Sequence, residues 1–104
     1  MGRPRYTRKD RNQGAIVDDL RSLGFMVFDV ADNASLGYDL VVVGHHRKRL
    51  CPAALLVEVK AEDGMLTERE EEVAAELQVR YGDDVPYCVA YEAEDVVAWF
   101  KATA

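Results

Sequence analysis

"YDLVVVGHHRKRLCPAALLVEVKAE", residues 38 to 62, decides how this chain folds. Leu40 to Val43 and Leu55 to Val57 are unbroken apolar runs of valine and leucine, the composition of strands that stand inside a sheet. "YDLVVVG" is apolar on both faces and reads as a central strand; "LLVEVKAE" reads as the next. The connection "HHRKRLCPA" is short, so the two pair as antiparallel neighbours. The second strand carries Glu58 and Lys60. Alternation puts these two on one face and Val57 and Val59 on the other. An unpaired buried charge costs on the order of several kcal/mol, or loses its charge. Either the pair neutralises itself or a cation comes from outside.

Outward from this hairpin, the pattern continues on both sides. "NQGAIVDDLRSLG" before it reads as a helix, with Ile16, Val17, Leu20 and Leu23 at helical spacing and Gly24 as the stop. "FMVFDVA" reads as a strand and "DNASLG" as a loop. After the hairpin, "LTEREEEVAAELQVRYG" reads as a helix ended by Gly82, "VPYCVAY" as a strand and "AEDVVAWFKAT" as a final helix. The expected order is α-β-β-β-α-β-α: an α/β domain with a mixed four-stranded sheet flanked by helices. The first three strands form an antiparallel meander, and the fourth, after a helical crossover, lies parallel to a neighbour. Trp99 and Phe100 belong to the core or an interface.

The 104 residues suit one domain with a modest core. Charge divides the chain into a basic arm, 1–11, and an acidic body, 12–104. The arm holds Arg3, Arg5, Arg8, Lys9 and Arg11 against one acid, for a net +4. The body stands at −10, against −6 for the whole chain. The arm is a candidate phosphate-binding element or a solvated terminus. Two cysteines, Cys51 and Cys88, make no disulfide framework, and Cys88 reads as a small core residue. There is no apolar stretch behind the basic start and none of the ~20 residues a membrane span needs, so a cytoplasmic protein is expected, with no membrane partner and no organic cofactor. His45, His46 and Cys51 lack a fourth ligand for zinc.

Asp39 leads the first strand of the hairpin. If the register sets it beside Glu58 or Lys60, three charged groups converge; if it faces Val59, they do not, because a one-residue slip flips every side chain. Two carboxylates held together suit a hard divalent cation with oxygen ligands, Mg²⁺ or Mn²⁺. Such an ion makes water a better nucleophile, and a neighbouring lysine orients that water and offsets charge developing on phosphorus. The expectation is a phosphodiester hydrolysis site: Asp39 and Glu58 as metal ligands with the backbone carbonyl of Val59, and Lys60 as the positioning and stabilising cation. The plainer alternative is an ion pair on a half-exposed strand.

These residues resemble the PD-(D/E)XK nuclease superfamily. Gly37-Tyr38-Asp39-Leu40-Val41-Val42 is similar to the "G-x-P-D-L-hydrophobic" strand, with Tyr38 where proline is usual, and Leu56-Val57-Glu58-Val59-Lys60 to the "hydrophobic-E-V-K" strand. Leu66-Thr67 and the helix after them resemble the "L-T-x-x-Q/E" of small phage-type, virus-type replication-repair and resolvase-like members. The likeness spans roughly residues 10 to 100. It implies a restriction-endonuclease-like core, metal-dependent cleavage of DNA, including branched or flapped DNA in replication, repair or recombination, and a homodimer as in the resolvase-like members. It also implies an intracellular and, for the phage-type members, phage-encoded origin. Gln13 stands where many members have glutamate, and it shares a helical face with Ile16, Val17 and Leu20. It is an auxiliary candidate, or a helix-end amide bonded to backbone. Glu70 is likewise placed near Lys60 by the resemblance, yet Thr67 and Glu70 also fit a T-x-x-E capping box. The acidic body and the Gln13 and Tyr38 departures keep a second class open: an inactive module on the same fold that binds nucleic acid or a replication partner.

Overall fold

The computed structural model describes residues 8–31, 36–48, 51–61 and 64–102, with only the backbone given for 8–11, 51 and 83. Helix α1 (Arg8–Ser22) leads into β1 (Met26–Asp29), β2 (Leu40–His46) and β3 (Cys51–Val59). Then come α2 (Glu68–Tyr81), a 3₁₀ turn at Gly82–Asp84, β4 (Tyr87–Ala90) and α3 (Ala93–Lys101). The strands form one sheet in the order β1-β2-β3-β4. The first three are antiparallel, and β4 lies parallel to β3. This is the expected α/β order and pairing, with β2 and β3 central.

Several boundaries differ from the reading of the sequence, and two bear on the basic arm and the hairpin. The first helix begins at Arg8, four residues inside the basic arm, because arginine and lysine are good helix formers and nothing in "RKDR" breaks a helix. Arg8, Lys9 and Arg11 are thus helical, while Arg3 and Arg5 lie outside the described residues. The β2–β3 connection is also shorter: His45 and His46 extend β2, and Cys51 to Ala53 extend β3, with His46 registered against Cys51.

The core lies on one face of the sheet, under α1 and α3. Ile16, Val17 and Leu20 of α1 and Val96 and Phe100 of α3 pack on Val27, Leu40, Val42, Leu55, Val57 and Val59. Leu23 is left out of this stripe and is exposed, because the helix stops at Ser22 and the chain turns through Gly24. A Cβ on Gly44 would come within 2.6 Å of the Phe25 ring, so glycine there lets Phe25 lie flat on β2 and meet Phe100 at 4.9 Å between ring centroids. His46 joins the same layer, edge-on to Trp99 at 4.6 Å. Phe100 is therefore a core residue, and Trp99 is half-buried against the core. Cys88 also faces this layer, half-buried, and burial together with the charge of Asp95 pushes its thiol up to about 12.

Among the described residues, α2 is the one helix on the opposite face. None of the described residues of α2 is buried: Val73 and Leu77 are half-buried and Tyr81 is exposed, so the helix does not close over the sheet. What fixes α2 is its start. Thr67 caps the helix, its side chain accepting from the Glu70 N–H while Glu70 Oε1 accepts from the Thr67 N–H at 2.8 Å. No helix among the described residues is long and apolar enough to cross a membrane.

Candidate functional site

The register of β2 and β3 pairs Leu40 with Val57. One further step along the two strands sets Asp39 beside Glu58, on the face away from the core. Asp39 is anchored there by its backbone and its side chain. Its N–H donates to the Val57 carbonyl at 2.8 Å, and its Oδ2 accepts from the Val59 N–H at 2.9 Å. The carboxylate thus occupies the place a strand carbonyl would take at the ladder's end. Gly37 controls the approach to it. Its φ of +77° suits glycine, and a Cβ there would meet Val73 Cγ2 of α2 at 2.6 Å.

Glu58 and Lys60 follow on the same face, and both are buried. Asp39 is 7% exposed, Glu58 1% and Lys60 6%. The Lys60 ammonium lies 3.5 Å from Glu58 Oε1 and 2.6 Å from Glu70 Oε1. Glu70 therefore does two jobs at once: the same oxygen closes the capping box and holds the lysine. Partial burial pushes the Glu70 carboxyl up, but hydrogen bonds with Glu58, Lys60 and the Thr67 amide, and the charge of Lys60, outweigh it and hold the group at about 2. Two carboxyls in hydrogen-bonding contact need a shared proton or a cation. Lys60 supplies a cation to this pair, and Asp39 adds a further acid to the same corner.

Tyr87 completes the corner, and nothing in the sequence singled it out. The parallel register pairs it with Leu56, so it shares the face of Glu58. Its hydroxyl donates to the Gly37 carbonyl at 3.0 Å. Burial, and then the charges of Glu58, Glu70 and Asp39, raise the phenol well above its usual range, so it stays a donor. Asn12 was also missed. Its amide donates to the carbonyls of Lys60 at 2.9 Å and Tyr91 at 3.1 Å, tying α1 to the strand ends that carry the lysine.

Gln13 makes its side-chain bond outside the cluster. It is buried on the inner face of α1, as its spacing implied, but its amide Nε2 donates to Asp29 Oδ1 at 3.0 Å, at the end of β1. Asp29 Oδ1 also accepts from the Ala31 N–H, so this pair shapes the exit of β1. Gln13 thus bonds a side chain rather than backbone. At Val59 it is the N–H that meets Asp39.

Among the described residues, no group of three or more His, Cys, Asp and Glu side chains stands together as a ready-made metal cage. The hard oxygen donors of Asp39 and Glu58 suit the sparser mode of Mg²⁺, which uses one or two carboxylates and leaves the remaining positions to water and substrate oxygens. The fold and this corner define a mixed α/β domain with a buried acid–lysine cluster at the ends of its two central strands. No protein-family model, curated protein or solved structure matches the chain.

Proposed function

We propose that the chain is a divalent-metal-dependent nuclease of the PD-(D/E)XK type, hydrolysing phosphodiester bonds in DNA. The observation that carries this reading is the burial of Asp39, Glu58 and Lys60 in one corner where β2 and β3 end. Burying three ionic groups is costly, and a purely structural role is better served by apolar residues of similar volume. The α-β-β-β-α-β-α order around a mixed sheet is in keeping with a restriction-endonuclease-like core.

In this reading Asp39 and Glu58, with the Val59 carbonyl, hold Mg²⁺ or Mn²⁺. A divalent cation there supplies Lewis-acid polarisation of the phosphodiester and activation of water. The chain's own groups do the rest. The Val59 N–H fixes the Asp39 carboxylate in one orientation. Glu70 holds the Lys60 ammonium in place beside Glu58. Lys60 then positions the attacking water and offsets negative charge growing on the phosphoryl oxygens. Asn12 holds the Lys60 backbone while this happens.

A second reading is an inactive module on this fold that binds nucleic acid or a replication partner. The 2.6 Å pair between Lys60 and Glu70 favours it, since the lysine already has a carboxylate partner. Cleavage of linear, nicked, flapped and four-way DNA with Mg²⁺ or Mn²⁺ separates the two. The nuclease reading expects metal-dependent cleavage of at least one substrate. It expects Asp39→Ala and Lys60→Ala to lose about 100-fold or more while keeping wild-type circular dichroism. No cleavage of any substrate, or full activity in either variant, leaves the second reading standing.

A further inference from the structure

Beside the acid–lysine corner runs a second feature that the hydrolytic reading does not use. A groove of about 310 Å³ lies between the segment before β2 and α2. Its apolar floor is Leu36, Val73 and Leu77, and two aromatic rings, Tyr38 and Tyr81, also line it. Arg69 and Arg80 bring guanidinium groups to the same walls. The groove adjoins the proposed active site along the chain: Tyr38, which lines it, immediately precedes Asp39, and Val73, which also lines it, stands where a Cβ on Gly37 would meet it.

We propose that this groove seats an unpaired nucleotide of the substrate strand, its base stacked on Tyr38 or Tyr81 and its flanking phosphate met by Arg69 or Arg80. The proposal rests on the nuclease reading for its direction: the nucleotide it holds neighbours the phosphate at Asp39. The chemistry of the walls is that of single-strand recognition, where aromatic rings stack bases of any sequence and cations follow the backbone. A paired base has both faces covered by its neighbours in the duplex and cannot offer them to a tyrosine ring. Tyr81 is 50% exposed, which leaves a large aromatic surface at the groove.

The arginines carry local partners. Arg80 Nη2 pairs with Glu76 Oε1 at 2.8 Å, and Arg69 Nη1 with Glu72 Oε2 at 3.7 Å. All four side chains are more than half exposed, and ion pairs of that kind contribute little and exchange readily. A phosphate brought in by stacking can take over a guanidinium. Glu76, which also lines the groove, weakens this and makes stacking the larger contribution.

The test is fluorescence anisotropy in EDTA, so that neither metal nor cleavage enters. The probes are a labelled thymidine dodecamer, the same backbone with abasic residues, and a duplex of equal length. Wild type is expected to bind the thymidine strand roughly 5- to 150-fold more tightly than the abasic strand, the range one stacked base confers. Tyr81→Ala and Tyr38→Ala should each reduce that preference, and Tyr81→Ala, at an exposed position, should do so with an unchanged melting temperature. Arg80→Ala should weaken both strands alike. Equal binding of the thymidine and abasic strands, tighter binding of the duplex, no binding, or a preference unchanged in Tyr81→Ala overturns the proposal. Base preference without cleavage in the metal assay would remove the nuclease reading and leave the groove; cleavage without base preference would do the reverse.

Discussion

The two faces of strand β3 make opposite use of the same backbone. Leu55, Val57 and Val59 point into a dry layer under α1 and α3 and are fully buried. Glu58, and Lys60 just beyond the strand, are nearly as buried, yet they point to the face where α2 rests with no buried residue of its own among those described. On the first face burial is the source of stability. On the second, burial costs free energy that Lys60, Glu70 and the Val59 N–H recover in part. A strand that keeps charge at such depth does so at an energetic cost that the apolar face does not carry. The face that stabilises the fold and the face proposed for chemistry are separable by mutation.

The sharpest way to break that contrast is to hollow the core face. Leu40→Ala should lower unfolding free energy by about 2–5 kcal/mol in urea titrations. The matching change on the other face is Glu58→Gln with Lys60→Met and Glu70→Gln, which removes the paired charges together at similar volume. It should leave stability within about 1 kcal/mol of wild type, or raise it, while cleavage is lost. A large loss of stability from this triple variant would make the cluster a structural ion network and erase the distinction.

Between these extremes lies the hinge of the two regions, Gly37. Alanine there must adopt a φ near +77° and press on Val73 at 2.6 Å, so a loss of about 1–3 kcal/mol is expected. Gly37→Ala with Val73→Ala should recover the part due to the clash and leave the part due to the backbone. Full recovery would show that the positive φ contributes nothing.

The pH dependence of Glu70 sharpens the comparison further. Its carboxyl is held at about 2, below its ordinary 4.5, so its stabilisation is complete above about pH 4.5 and is lost as pH falls toward 2. Glu70→Gln should be less stable than wild type at pH 6, and the gap should close across that window. A gap that stays constant down to pH 2 would mean the charge of Glu70 is not what stabilises. Smallest of all, Thr67→Ala should cost about 1 kcal/mol through the cap alone. It should cost more if Glu70 then releases Lys60, which a drop in cleavage would report.

How much of this could be seen before the structure follows from which contacts are local. The Thr67–Glu70 cap is spelled by four consecutive residues, and both its reciprocal bonds are present. The antiparallel hairpin needed only two valine-rich runs and a short link, which is why the placing of Asp39 with Glu58 and Lys60 could be posed as a question of register. The choice between the cap and the lysine for Glu70 could not be made in the sequence, because one oxygen serves both. Tyr87 enters through the parallel β3–β4 register, set by a crossover whose length does not specify which residues meet. Asn12 and Gln13 are adjacent on α1, and only packing decides that one clasps Lys60 and the other Asp29. Leu23 had the right spacing for the core but fell one residue beyond the helix.

Calorimetric titration of the full chain with Mg²⁺ and Mn²⁺ tests the account most directly. Saturable binding by the wild type, abolished in Asp39→Asn and Glu58→Gln with melting temperatures preserved, is the predicted result. A wild type that takes up no ion, or variants that bind as it does, would contradict it.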